Sequence, residues 1–256
     1  MKSIVKMFFE SIFNMRFFFY VVFTIQVFRS FPSLLIFWYK FRRALRREST
    51  NSEICVFGGG KDVNSLKNLS ILQRYSSIFH INLVRYKGRL SEDCKEYAFV
   101  GANLALELSC EQVKDLYANI DLIIANSQNK HILKECGYSN VIYFPPTLPI
   151  ILTLLIVRII GLKHDIYERR VPRTGFVFLS LIYCTLSPSK LGLLGISTKT
   201  TGVYENIDID GAVIVQAEID TLGMRTHCSI SEEVCLTNAL IKLFRKKILV
   251  EKITNA

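Results

Sequence analysis

The stretch RRVPRTG, residues 169–175, sets three arginines (Arg169, Arg170, Arg173) and a proline ahead of a threonine–glycine pair that opens an apolar run. An arginine-bearing loop ending at a helix N-terminus is suited to phosphate. Backbone N–H groups and the Thr174 hydroxyl donate, Gly175 keeps the approach open, and guanidinium groups pair with phosphate oxygens. A second feature of this kind is the run ICVFGGG, a short β-type segment closed by Gly58, Gly59 and Gly60. Glycine at a strand exit lets backbone approach a ligand phosphate, although the triplet is not a G-x-G-x-x-G. His80, His131 and His164 show no metal-ligand spacing, so no metal is expected.

These groups need a scaffold that brings strand ends together, and the hydrophobic pattern supplies one. ICVFGGG reads as a first strand, 77–85 as a second, EYAFVGANL as a third and NIDLIIANSQ as a fourth. NKHILKECGYSNVIYFPP reads as a short helix capped near Gly137, then a strand ending at Pro145–Pro146. LPIILTLLIVRIIGL is expected to be a buried helix. TGFVFLSLIY should be the next helix, KLGLLGIS a strand, and SISEEVCLTNALIKLFRKK a closing helix with Ser229 or Ser231 as N-cap. Strands alternating with helices predict an α/β, Rossmann-like, mostly parallel sheet flanked by helices.

The N-terminus differs. Ser3, Lys6, Glu10 and Asn14 form a polar stripe on an apolar helix, and Phe17–Tyr39 is long enough to cross a bilayer. Arg29 and Pro32 interrupt it, and a central arginine costs about 2.5–3.5 kcal/mol on insertion. The expectation is a membrane-associating segment over residues 1–47 that lies in the interface, with a single span and a helix that packs on the domain as the alternatives. The remainder, residues 48–256, is expected to be the catalytic-type domain. Lys40, Arg42, Arg43, Arg46 and Arg47 follow the apolar run and suit anionic headgroups on the cytoplasmic side. The net charge of +10 thus points to lipid and phosphorylated substrates, because no nucleic-acid signature accompanies it. Seven scattered cysteines without a C-x-x-C fit buried thiols in a reducing compartment.

In order and spacing, VFGGGKDVNSL, FHINLV, FVGANLALE, VPRTGFVFLSL, LLGIS and RTHCSISEEVCL resemble the motifs of bacterial sialyltransferases. The likeness is to glycosyltransferase family 42, the lipooligosaccharide sialyltransferases, and more loosely to family 29. It covers roughly residues 53–245 and implies a GT-A-like sialyltransferase variant of the fold. It implies that Gly58, Gly60, Asn82, Asn103, Thr174 and Gly175 bind the donor nucleotide and that His227 is the general base. Arg173, Lys199 and Tyr204 are the candidates to support the leaving phosphate. The chain departs from the pattern at Gly59, where an asparagine is expected, at Ser197, where an acid is expected, and at Met224, where a tyrosine is expected.

The implied activity is transfer of an acidic sugar, sialic acid foremost, from a CMP-sugar to a bacterial surface glycan or glycolipid. It would occur at the cytoplasmic face of the inner membrane, without metal or other cofactor and without a nucleic-acid partner. A CMP-Kdo-dependent transferase, another nucleotide-sugar glycosyltransferase and a degenerate membrane-bound interaction protein are the alternatives.

Overall fold

The computed structural model describes residues 15–46, 48, 52–58, 69–82, 84, 89–101, 104, 108–161, 172–196, 207–209, 212–214 and 230–253. A seven-stranded, all-parallel sheet runs in the order β5-β4-β3-β2-β1-β6-β9. Its strands are β1 (Glu53–Phe57), β2 (Ser77–Ile81), β3 (Lys95–Val100), β4 (Leu122–Asn126), β5 (Val141–Phe144), β6 (Lys190–Leu194) and β9 (Leu249–Lys252). A separate antiparallel ribbon pairs β7 (Ile207–Ile209) with β8 (Ala212–Ile214). The inner strands are largely apolar because both sheet faces are covered, which is why they read as runs and not as alternations.

The helices are α1 (Met15–Ala44), α2 (Cys110–Leu116), α3 (Lys130–Glu135), α4 (Leu148–Ile160), α5 (Thr174–Thr185) and α6 (Ile230–Arg245). On one face, α5 is apolar on all sides and accordingly almost wholly buried. Its Phe178 lies 4.9 Å from Phe79 and 4.7 Å from Phe99 between ring centroids. Phe99 stacks on Phe144 at 5.0 Å, and Phe144 meets Phe37 of α1 edge-on at 6.1 Å. One aromatic chain therefore joins α1, three strands and α5. The opposite face is covered over β3–β5 by α2 and α3, and over β1, β2 and β6 by Leu72, Tyr75 and Cys94. Within that second face His80 Nε2 and Glu96 Oε2 lie 3.2 Å apart, both fully buried.

The described residues bear on four expectations. The segment expected to be an appendage shares the domain core from Leu34 onward, since Leu34, Phe37, Phe41 and Leu45 are buried in it. Among the described residues no helix is long and apolar enough to cross a membrane. The run 148–160 is a helix, but only one side of it is buried, while Leu154, Leu155 and Ile159 are exposed. Ser231 lies inside α6 and does not precede it, and Ser229 falls outside the described residues.

The cysteines are more varied than uniform burial would have them. Cys55, Cys94 and Cys136 are buried, whereas Cys184 and Cys235 are exposed. Cys110 and Cys136, on α2 and at the end of α3, approach to 2.7 Å between sulfurs. Burial first, then the hydrogen bond with Cys110, pushes the Cys136 thiol up to about 12.

Candidate functional site

From β1 the chain moves outward strand by strand to β5. It then recrosses through α4 and α5 to place β6 on the other side of β1. Such a reversal of strand order, here at the carboxyl ends of β1 and β6, is where open α/β sheets take their ligands. Gly58, immediately after β1, donates its N–H to the Leu194 carbonyl at 2.8 Å. A Cβ on Gly58 would lie 2.6 Å from the Gly195 carbonyl oxygen and 2.6 Å from Ile196 Cδ1. The two strand exits are thus too close for any side chain at Gly58.

The start of α5 sits over these exits. A Cβ on Gly175 would stand 3.5 Å from Ile196 Cδ1, and one on Gly101, after β3, would stand 2.5 Å from Thr174 Oγ1. Gly58, Gly101, Thr174, Gly175 and Ile196 therefore converge on one edge of the sheet. Arg173 occupies the N-cap position of α5 and makes no side-chain cap there. The chemistry explains this, since a guanidinium has donors and no acceptor. The first backbone bond of the helix is Val177 N–H to the Arg173 carbonyl, at 3.3 Å. An N-terminus with no side-chain acceptor presents N–H groups and the positive end of the helix dipole, which favours an anion.

Arg173 is also a structural tie. Its Nη1 lies 3.3 Å from Glu233 Oε2, with the two side chains 13% and 14% exposed. The bridge brings the first turn of α6 to the first turn of α5. Glu232 and Glu233 in that turn also complement the α6 dipole.

Asn82 closes β2 in the left-handed region, at φ 63. Its N–H donates to the Phe99 carbonyl at 2.9 Å, and its Oδ1 accepts the Gly101 N–H at 3.0 Å. The Tyr117 hydroxyl donates to its backbone carbonyl. The amide oxygen expected to face a nucleotide thus fastens the end of β2 to the end of β3. Asn129, fully buried, does similar work by accepting the Leu104 N–H at 2.9 Å.

Of the residues expected at the site, Gly58, Asn82, Arg173, Thr174 and Gly175 lie along this edge. Gly60, Asn103, Lys199, Tyr204 and His227 fall outside the described residues. Sequence reading missed Gly101, Gly195 and Glu233. The first two were detectable as glycines directly after apolar runs, in FVG and LLG. It also held that no Asp-x-Asp motif is present, whereas Asp208-Ile209-Asp210 is one, with Asp208 and Ile209 in β7 and Asp210 outside the described residues. Among the described residues no cluster of His, Cys, Asp and Glu could hold a metal ion.

The chain matches no family model, and no curated protein matches it significantly.

Proposed function

We propose that the protein is a membrane-associated glycosyltransferase that moves an acidic sugar from a CMP-sugar to a surface glycan or glycolipid. The observation that carries this reading is the convergence of Gly58 after β1, Gly101 after β3, and Thr174 and Gly175 of α5 at the carboxyl end of the sheet. A donor phosphate would sit against the N–H groups of α5, and the missing side chains of Gly58 and Gly101 let the strand exits and α5 close up beside it. The CMP character of the donor rests on the motif resemblance, as does the role of His227.

In the proposed reaction an acceptor hydroxyl oxygen attacks the anomeric carbon of the donor sugar. The bond from that carbon to the phosphate oxygen of CMP breaks, and CMP leaves with the bonding pair. The acceptor proton passes to the neutral imidazole of His227, a base suited to pH near neutrality. His227 is three residues ahead of Ile230, the start of α6. The Arg173–Glu233 bridge holds that start beside α5. The exposed apolar residues of α1 support membrane association, and an inner-membrane, cytoplasmic-facing position follows from the donor.

Calorimetry with CMP, UDP and GDP tests the reading first, and CMP should bind most tightly. Transfer assays with CMP-sialic acid and CMP-Kdo then identify the sugar. Both are run with and without EDTA, because the Asp208-Ile209-Asp210 triplet is where metal dependence would originate. Preference for UDP or GDP would reassign the donor, and no nucleotide binding would replace the enzyme by a membrane-bound interaction protein.

A further inference from the structure

α1 presents two stripes of different purpose. Leu34, Phe37, Phe41 and Leu45 face the core. On the other side Ile25, Phe28, Pro32, Leu35 and Tyr39 recur at alternating steps of three and four, and the row continues as Arg42 and Arg46. This outer row is exposed: Phe28 retains 75% and Tyr39 66% of its accessible surface. Where the apolar part gives way to arginine, a pocket of about 750 Å³ opens between α1 and the end of α5. It is lined by Trp38, Tyr39, Arg42, Arg43, Arg46, Thr185 and Leu186.

Arg42 and Arg43 occupy the last turn of α1, where positive charge complements the helix dipole. Arg46 lies beyond the helix and belongs to the same pocket. Arg42, Arg43 and Arg46 set three guanidinium groups beside the rings of Trp38 and Tyr39 in this pocket. Their planar donors match phosphate oxygens, and the rings suit the boundary between headgroup and hydrocarbon. The adjoining row, Phe28, Leu35 and Ile36, is bare hydrocarbon, which separates this surface from one built for nucleic acid. Leu154, Leu155 and Ile159 of α4 expose further apolar surface on the same side of the sheet.

We propose that this pocket holds the phosphate headgroup of an anionic phospholipid, whose acyl chains lie along the exposed row of α1. The inference rests on the membrane-associated part of the reading above and is independent of the donor site. It adds a specific lipid site, placed where the described part of α1 ends.

Trp38 is the chain's single tryptophan and lines the pocket, so its emission reports occupancy directly. The full chain is titrated with phosphatidylglycerol–phosphatidylcholine vesicles, with phosphatidylcholine vesicles, and with glycerol 3-phosphate, following Trp38 emission and co-sedimentation. A blue shift is expected with the anionic vesicles alone, weakening as salt is raised. Arg42→Gln/Arg43→Gln/Arg46→Gln should reduce that response on the order of 100-fold, about five-fold per arginine. The matching triple lysine variant keeps the charge but loses the planar donors, so it should recover only part of it.

An equal shift with phosphatidylcholine, or wild-type binding by the glutamine variant, overturns the proposal. A full response to glycerol 3-phosphate at comparable concentration makes the site one for free phosphate and overturns the lipid assignment. Sedimentation with anionic vesicles while Trp38 stays silent removes the pocket and leaves membrane association standing. CMP binding by the same preparations reports on the donor site separately.

Discussion

Gly101 and Thr174 approach so closely that a Cβ on the glycine would stand 2.5 Å from the threonine hydroxyl oxygen and 2.8 Å from its methyl carbon. The exit of β3 and the first turn of α5 are therefore in direct contact, although 73 positions separate them in the chain. Gly101→Ala should displace the α5 N-terminus. Threonine carries two heavy atoms on Cβ, so one rotation cannot clear both contacts. The expected cost is about 1–3 kcal/mol, the usual range for overpacking, with weakened CMP binding. Thr174→Ala in the same chain should restore part of the stability, because the nearest remaining contact is Thr174 Cβ at 3.2 Å. Denaturant titration of both variants checks this. An unchanged midpoint in Gly101→Ala would show that the contact yields freely.

His227 and Asn82 should separate under kinetics. His227→Ala is expected to lower transfer about 10²–10⁴-fold with CMP affinity barely altered, since the base faces the acceptor. Asn82→Ala should instead lower stability, because it removes the acceptor of the Gly101 N–H and places alanine at φ 63. Asn82→Asp keeps that acceptor and should be the milder change. Full transfer activity in His227→Ala would remove this histidine from the mechanism.

The N-terminal helix should divide at its point of burial. Phe41 is fully buried, and Phe41→Ala is expected to cost about 3–5 kcal/mol. Removal of residues 1–47 should therefore unfold or aggregate the domain, since it exposes the surface that Leu34, Phe37, Phe41 and Leu45 cover. Removal of residues 1–24 spares those contacts and should leave the melting transition near its original place. Far-UV circular dichroism and thermal melts of the two truncations decide it. A cooperative melt after loss of residues 1–47 would contradict the packing argument.

The outer strand β9 should loosen in acid. Glu251 accepts from Lys190 at 2.9 Å, Arg74 at 2.6 Å and the Tyr75 hydroxyl at 3.1 Å. The hydrogen bond from Lys190, above all, holds its carboxyl below the ordinary range. A depressed carboxylate contributes stability above its unfolded pKa, about 4.3 for glutamate, and loses it as pH falls through the lower folded value. The difference in melting temperature between wild type and Glu251→Gln should thus be present near neutrality and shrink in acid. The group is partly exposed, so the difference should be small and reduced by salt. A gap that widens on acidification would reverse the sign of this account.

The sequence alone determined the kind and order of most elements. ICVFG, DLIIAN and KLGLLG are strands because their apolar runs are short and end at glycine or asparagine, and TGFVFLSLIYCT is a helix opened at Thr174. Hydrophobic period and turn chemistry are local properties, so they survive without knowledge of partners. β9 escaped because LVEK is short and half polar, and it is a strand only because Gly192 and its neighbours on β6 offer an open edge.

The site was partly readable for the same reason. Glycine after a strand and threonine–glycine before a helix mark places where backbone meets a ligand, and Gly58, Thr174 and Gly175 do share one edge. Only the tertiary structure could decide that Gly101 touches Thr174, that Glu233 takes Arg173, and that the amide oxygen of Asn82 is spent on the Gly101 N–H. It also decided which face of a helix with apolar residues on several sides enters the core and which stays bare. Such a helix has no preferred side of its own, and the choice is made by Phe144 and the sheet against which Phe37 packs.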